Sequence, residues 1–172
     1  MYTGVTTLEL TNAELEELYT KERLSKYVWN ENEYLYVPPA VPEAKGDYFQ
    51  YRGGRFQRIK FPSINNEWTG SIKPRNPEQY CALDLLLNTS IKLKVLKGVY
   101  GSGKDYLMLG AALSLIEKGL YSKLIYIRPN IIVRDLPDIG ALPGTADEKL
   151  AWTLGPFMDK LGGNEGVELL IH

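Results

Sequence analysis

The hydrophobic and polar positions of this chain fall into short blocks whose period changes several times along its length. Thr11-Asn-Ala-Glu14, followed by Leu15 and Leu18, predicts a short helix. A threonine N-cap with glutamate three residues on forms a capping box, and the two leucines share one side. Tyr34, Tyr36 and Val37 then run into Pro38, Pro39 and Pro42, which break regular structure. The aromatic-rich runs 47–52 and 55–61 flank Gly53-Gly54, the pattern of a β-hairpin. A second helix is predicted from Asn76, with Pro77 in its first position and Gln79 placed to close a capping box. Tyr80, Leu83, Leu86 and Leu87 give that helix its buried side. Residues 91–97 alternate early and are partly β-branched, which predicts a strand. Residues 104–118 have helical length and stop at Gly119, and 123–128 predict another strand, closed by Pro129. Two parts result: a small β-rich module over residues 1–70 and a second part over 71–172.

Between the predicted strand at 91–97 and the helix lies Gly98-Val-Tyr-Gly-Ser-Gly-Lys104-Asp105. It meets the phosphate-loop pattern G-x-x-x-x-G-K-[ST] at Gly98, Gly103 and Lys104, but Asp105 stands where a hydroxyl is expected. Strand, glycine loop, helix and strand is the context such a loop requires. Its backbone N–H groups surround a phosphate, and Lys104 reaches the outer phosphates as a point charge. The ligand class is therefore a nucleoside triphosphate. A carboxylate at position 105 can hold magnesium directly, but it also repels the phosphates beside it. Binding is expected and hydrolysis stays open, and a phosphate-loop kinase shares the Gly-Ser-Gly-Lys run. Lys92, Lys94 and Lys97 on a strand that should be buried on both faces point to an incompletely covered sheet.

Composition narrows the chemistry. A chain of 172 residues that is 44% hydrophobic and 24% charged can bury a core, and a net charge of −1 argues neither for nor against nucleic acid. Cys81 is the only cysteine, which excludes an internal disulfide, and His172 is the only histidine, which excludes a histidine-based triad or multi-histidine metal site. The first residues lack a basic segment followed by an apolar run, and 106–116 is too short to span a bilayer, so a cytoplasmic protein without membrane contact is expected. Arg52, Arg55, Arg58 and Lys60 lie among Tyr48, Phe49, Tyr51 and Phe56. That mixture suits single-stranded nucleic acid through charge and stacking. A single Arg-Gly-Gly-Arg copy without a repeat favours instead a solvated hairpin edge whose aromatics fill one face. The amide of Gln79 has two readings as well: the capping box, or the edge of an adenine.

Pro74-Arg75-Asn76 with Gln79 ahead of the loop, Arg128-Pro129 after it, the stretch 139–144 and Glu148-Lys149-Leu150 follow one another in an order that resembles the PhoH family of P-loop ATPases. Tyr2-Thr3-Gly4-Val5 is similar to the segment that joins a nuclease domain to the PhoH domain in fused members. The resemblance implies an α/β fold: a RecA-like P-loop NTPase core, three-layer α/β/α and here partial, preceded by the β-rich module. It implies an ATP-binding, RNA-associated, helicase-like hydrolase whose ligands are ATP or ADP with Mg2+ and whose partner is single-stranded RNA. Lys104 is then the catalytic candidate, and Gln79, Gly98, Val99, Tyr100, Gly101, Ser102, Gly103, Lys104, Asp105 and Tyr106 are the nucleotide-binding candidates. Asp105 is the metal candidate, and Arg128 joins Arg52 and Arg55 as candidates for nucleic acid. The family's second acidic motif is absent before His172, so the front half of an ATPase domain is expected. The sheet edge left without later strands favours a homo-oligomer or association with a missing C-terminal half. A catalytically inactive, nucleotide-responsive or RNA-binding module is the alternative. Replacing the odd letter tests this: Asp105→Thr should tighten magnesium-dependent ATP binding in calorimetry, and a weaker complex would mean that the carboxylate serves the metal.

Overall fold

The structure is a computed structural model that describes residues 4–41, 43–60, 62–66 and 70–127. Arg128, Pro129, the stretch 139–144 and Glu148–Leu150 lie outside these. The described architecture is mixed α/β, with three helices, a four-stranded sheet and a two-stranded sheet. The elements are β1 (Val5–Thr7), α1 (Asn12–Lys21), β2 (Tyr34–Val37), β3 (Asp47–Arg52), β4 (Arg55–Arg58), β5 (Ile64–Asn66), β6 (Gly70–Ile72), α2 (Pro77–Leu87) and α3 (Lys104–Glu117). The chain divides into two compact units, residues 1–64 with 72–111, and residues 65–71 with 112–172.

In the first unit the four-stranded sheet runs β1-β2-β3-β4, with β1 parallel to β2 and the other pairs antiparallel. The hairpin forms as its sequence dictates. Gly53 and Gly54 adopt φ of 60° and 80°, the two positive values that a tight hairpin turn needs, and Arg52 pairs with Arg55 across it. Helix α1 also starts as predicted: Thr11 N–H donates to Glu14 Oε2 at 2.9 Å and Glu14 N–H to Thr11 Oγ1 at 3.4 Å. The Thr11 N–H, the Thr11 hydroxyl, which donates to the same Oε2 at 2.8 Å, and Lys26 hold the Glu14 carboxyl down at about 2.

The aromatics of the hairpin do not fill one face, as the sequence led us to expect; they fill both. Side chains alternate across a strand, so Leu35, Val37, Phe49 and Phe56 share one face and pack with Leu18 and Leu24. Tyr34 and Tyr48 point to the other face and pack with Cys81, Tyr80 and Leu85 of α2. Tyr36, Tyr48 and Tyr80 form a run of rings, with centroids 4.8 Å and 4.9 Å apart. The sheet is covered by α1 residues on one side and by α2 on the other.

Helix α2 is apolar on a second side. Ala82, Leu83, Leu86 and Leu87 pack with Ile64, Ile72, Leu107 and Ala111, which joins α2 to the start of α3. Tyr80 therefore does not share the buried side of Leu83, Leu86 and Leu87; it faces the sheet. A polar contact fixes the sheet side: Tyr34 donates its hydroxyl to Asp84 Oδ2 at 2.8 Å, and Gln50 Nε2 donates to the Tyr34 oxygen at 3.2 Å. Helix α3 ends at Gly119, whose φ of 70° lets its N–H reach Ile116 O at 2.7 Å while Leu120 N–H reaches Leu115 O at 3.0 Å.

Residues 91–97 and 123–127 are irregular rather than strands. A strand exists by pairing with a neighbour, and among the described residues no strand pairs with either segment. Leu93 and Val95 are 83% and 77% exposed, and Ile127 is 86% exposed, so the apolar letters that predicted burial are not buried here. None of the described helices is long and apolar enough to cross a membrane.

Burial raises the Asp84 carboxyl above its usual 3.8, against the lowering effect of the Tyr34 hydrogen bond. A raised carboxyl favours the protonated form in the folded state, so its contribution is full below 3.8 and is lost as pH rises through the raised value. Asp84→Asn, which does not titrate, should therefore gain in Tm on the parent chain as pH rises from about 4 to about 7. Tyr34→Phe removes the donor to this carboxylate and should cost about 1–3 kcal/mol in denaturant unfolding at neutral pH.

Candidate functional site

The site is built where α2 begins and where the glycine loop enters α3. Asn76 caps α2: its Oδ1 accepts the Gln79 N–H at 2.8 Å, with Pro77 following it in the first turn. Gln79 does not complete the expected capping box. Its Oε1 accepts Arg75 N–H at 2.8 Å, one residue before the cap, and its Nε2 donates to Ser102 O at 3.1 Å. The side chain thus links the entry to α2 with the loop. The helical period explains this: Gln79, Ala82, Leu83 and Leu86 stand at i, i+3, i+4 and i+7, so Gln79 shares the stripe that packs on α3.

The loop closes around its own lysine. Gly101 and Gly103 adopt φ of 76° and 83°, and Lys104 is the first residue of α3. Lys104 Nζ donates to Gly98 O at 2.9 Å, Val99 O at 2.7 Å and Ser102 Oγ at 3.2 Å, which uses the three N–H bonds of an ammonium group. At Gly98 a Cβ would stand 3.2 Å from Ser102 Oγ, closer than ordinary contact, and 3.7 Å from Lys104 Cδ, an ordinary one, so space is tight only toward the serine hydroxyl. Asp105 is exposed in the first turn of α3, where the positive end of the helix favours a carboxylate. Val99 and Tyr100 stand out in solvent, whereas Tyr106 packs against the Leu83–Leu107 cluster.

The remaining described candidates lie elsewhere and have partners; Arg128 lies outside the described residues. Arg52 Nη2 donates to Ser90 Oγ at 2.8 Å, Arg55 pairs with Glu22 at 3.6 Å, and Arg58 pairs with Asp47. Phe49 and Phe56 are buried, so neither ring is presented for stacking. Among the described residues no group of three or more His, Cys, Asp or Glu is placed to hold a metal. Sequence reasoning missed the Gln79–Ser102 contact and the Tyr34–Asp84 tie. The signal for the second was an aspartate within an otherwise apolar helix.

The described chain is thus a mixed α/β protein whose phosphate-loop motif opens a helix, with its lysine drawn into the loop. It belongs to the family of PhoH-like proteins, whose sequence profile matches residues 71–169, more than half of the chain. Over 99 residues it is 41% identical to Protein PhoH2 of Bacillus subtilis (strain 168), which covers 57% of this chain and 22% of that protein. Protein PhoH2 of Mycolicibacterium smegmatis is 38% identical over 94 residues, 54% of this chain and 21% of that protein. Protein PhoH2 of Thermobispora bispora is 33% identical over 100 residues, 58% of this chain and 23% of that protein. The chain spans about a fifth of the length of these curated relatives. No solved structure matches it.

Strain and space can be separated at Gly103. A Cβ there would meet only Gln79 Nε2, at an ordinary 3.4 Å, so the cost of Gly103→Ala comes from the left-handed backbone. We expect a loss of about 1–2 kcal/mol in thermal unfolding, the left-handed penalty of a residue with a Cβ.

Proposed function

We propose that this chain is the nucleotide-binding part of an RNA-associated, helicase-like ATPase with a RecA-like core, and that Gly98–Tyr106 takes the phosphates of ATP or ADP. The observation that carries the reading is the arrangement of Lys104. Its ammonium is held at the centre of a glycine loop by two carbonyls and a hydroxyl of that loop. Neutral acceptors hold an ammonium less strongly than a phosphate does, because only the phosphate adds the attraction of an opposite charge to the hydrogen bond. An arriving phosphate can therefore draw Lys104 off the carbonyls and take their place as its partner. The cradle fits that role because Gly98 leaves room for the Ser102 hydroxyl that takes the lysine.

Among the described residues Asp105 is the candidate to hold magnesium, since it occupies the motif position next to the phosphate lysine and is exposed. A bound magnesium ion would neutralise phosphate charge there. A second reading, a nucleotide-responsive module without catalysis, is favoured by Asp105 itself, which sets a negative charge beside the phosphates. RNA association rests on the family resemblance. Arg52 and Arg55 would have to leave Ser90 and Glu22 to contact a strand, and Arg128 is the third candidate.

Calorimetric titration of the full chain with ATP and ADP, with and without magnesium, tests the site. Lys104→Ala should abolish measurable nucleotide binding while the circular dichroism stays that of the parent, with a fall in Tm no larger than the loss of the loop's lysine bonds explains. Equal affinity in parent and variant, or no binding to the folded parent chain, would sink the assignment.

A further inference from the structure

We propose that Gln79 is a positioning residue for the phosphate loop: it holds the Ser102–Gly103 peptide in one orientation, whatever base a bound nucleotide carries. The proposal rests on the nucleotide reading of the loop and assigns Gln79 a part in it other than contact with adenine.

The amide of Gln79 is fixed at both ends. Its oxygen faces the Arg75 N–H at 2.8 Å and its nitrogen faces the Ser102 carbonyl at 3.1 Å. Turning the amide over would set nitrogen against N–H and oxygen against carbonyl, so only one orientation satisfies both contacts. The stem is fixed too, because Gln79 N–H is bound by the Asn76 cap and α2 is packed on two sides. To read the edge of an adenine, this amide would have to release Arg75 and Ser102 together.

What the contact controls follows from the geometry of a peptide. The unit is planar and trans, and no described bond is cis, so the Gly103 N–H points opposite to the Ser102 C=O. Holding the carbonyl toward Gln79 therefore sets the direction of a loop N–H. That constraint is needed because glycine follows the peptide. Gly103 sits at φ 83°, and glycine accepts both signs of φ, so a flip of this plane meets little steric resistance. Lys104 cannot supply the restraint. Its bond in this region goes to the Ser102 hydroxyl, and its other two go to Gly98 and Val99. Gln79 is thus the side chain that holds the Ser102 carbonyl, and a ligand bound through its phosphates would sense the loss of Gln79 whether or not it carries a base.

The test compares ligands with and without adenine on the full chain. ATP, GTP and inorganic tripolyphosphate are titrated, each with magnesium, into the parent, Gln79→Met and Lys104→Ala. Methionine keeps the length of the side chain and removes both hydrogen bonds. Gln79→Met should weaken all three ligands by one common factor of about three to ten, the scale of one hydrogen bond. The amide nitrogen resonance of Gly103 should shift or broaden in this variant, while those of Leu35 and Phe56, in the core on the far face of the sheet, stay in place. The last comparison separates loop positioning from general loss of fold. If Gln79→Met melts, Gln79→Glu serves instead, because it keeps an acceptor for Arg75 and loses the donor to Ser102; the Gly103 resonance should move there as well. A loss confined to ATP overturns the inference and makes Gln79 an adenine reader. Unchanged affinity for all three ligands, or an unmoved Gly103 resonance, also overturns it. Failure of the parent to bind any of the three, or indifference to Lys104→Ala, overturns the nucleotide reading itself and this inference with it.

Discussion

Helix α2 is buried on two sides, and the positions of the sheet residues and of the loop residues both depend on how it is seated. It runs only from Pro77 to Leu87, too short to be stable alone in water, so packing must hold it. The sheet side is supplied by Cys81, Tyr80 and Leu85 against Tyr34 and Tyr48, and the α3 side by Leu83 and its neighbours against Leu107 and Ala111. Apolar contact alone would allow the helix to slide or roll. The Tyr34–Asp84 hydrogen bond is directional and half-buried, where an unmatched carboxylate is costly, so it selects one rotation about the helix axis. With that rotation set, the helical period leaves Gln79 no choice of side.

The glycine loop is stabilised in a different way. It has little apolar content to bury: Val99 and Tyr100 are exposed, and four of the eight residues from 98 to 105 are glycine or serine. What closes it is charge. One ammonium group draws in two carbonyls from the opening of the motif and one hydroxyl from its end. Those acceptors are neutral, and a phosphate competes with them on favourable terms. Under the proposed function, the residue that keeps the loop compact is also the one that would meet the phosphate. The glycines matter at Gly98, where the Ser102 hydroxyl comes close, and at the positive φ of Gly101 and Gly103.

Local rules were readable in the letters and non-local ones were not. The Thr11–Glu14 box, the Gly53-Gly54 turn, the Asn76 cap and the Gly119 stop each involve residues within a few positions of one another, and each formed as read. Residues 91–97 looked like a strand, but a strand requires a partner elsewhere in the chain, which composition does not supply. The hairpin aromatics were assigned one face because alternation says which residues share a face; it does not say how many faces are covered. Gln79 was placed in a capping box by spacing, whereas its side chain settled on Arg75 and Ser102, a choice made by where α3 and the loop lie. The motif itself, Gly98 to Lys104, was plain in the sequence. The contacts of its lysine required coordinates.

The segment leading into the loop shows how a chain can be held without a ladder. Asn88 caps the end of α2 and its Oδ1 takes both the N–H and the hydroxyl of Ser90, at 3.1 Å and 2.7 Å. Ser90 also receives Arg52 from the end of β3, at 2.8 Å. Six residues after Asn88, Lys94 donates to Leu86 O at 2.7 Å, placing a cation on a free carbonyl in the last turn of α2, and burial lowers the pKa of that lysine. These side-chain bonds tie 88–94 to α2 and to the sheet, where a paired strand would have used backbone. The loop that follows is consequently referenced to α2 twice, through Lys94 before it and through Gln79 at Ser102. In this arrangement Arg52 positions the segment that carries the phosphate loop, which is a sufficient physical reason for an arginine at the end of β3.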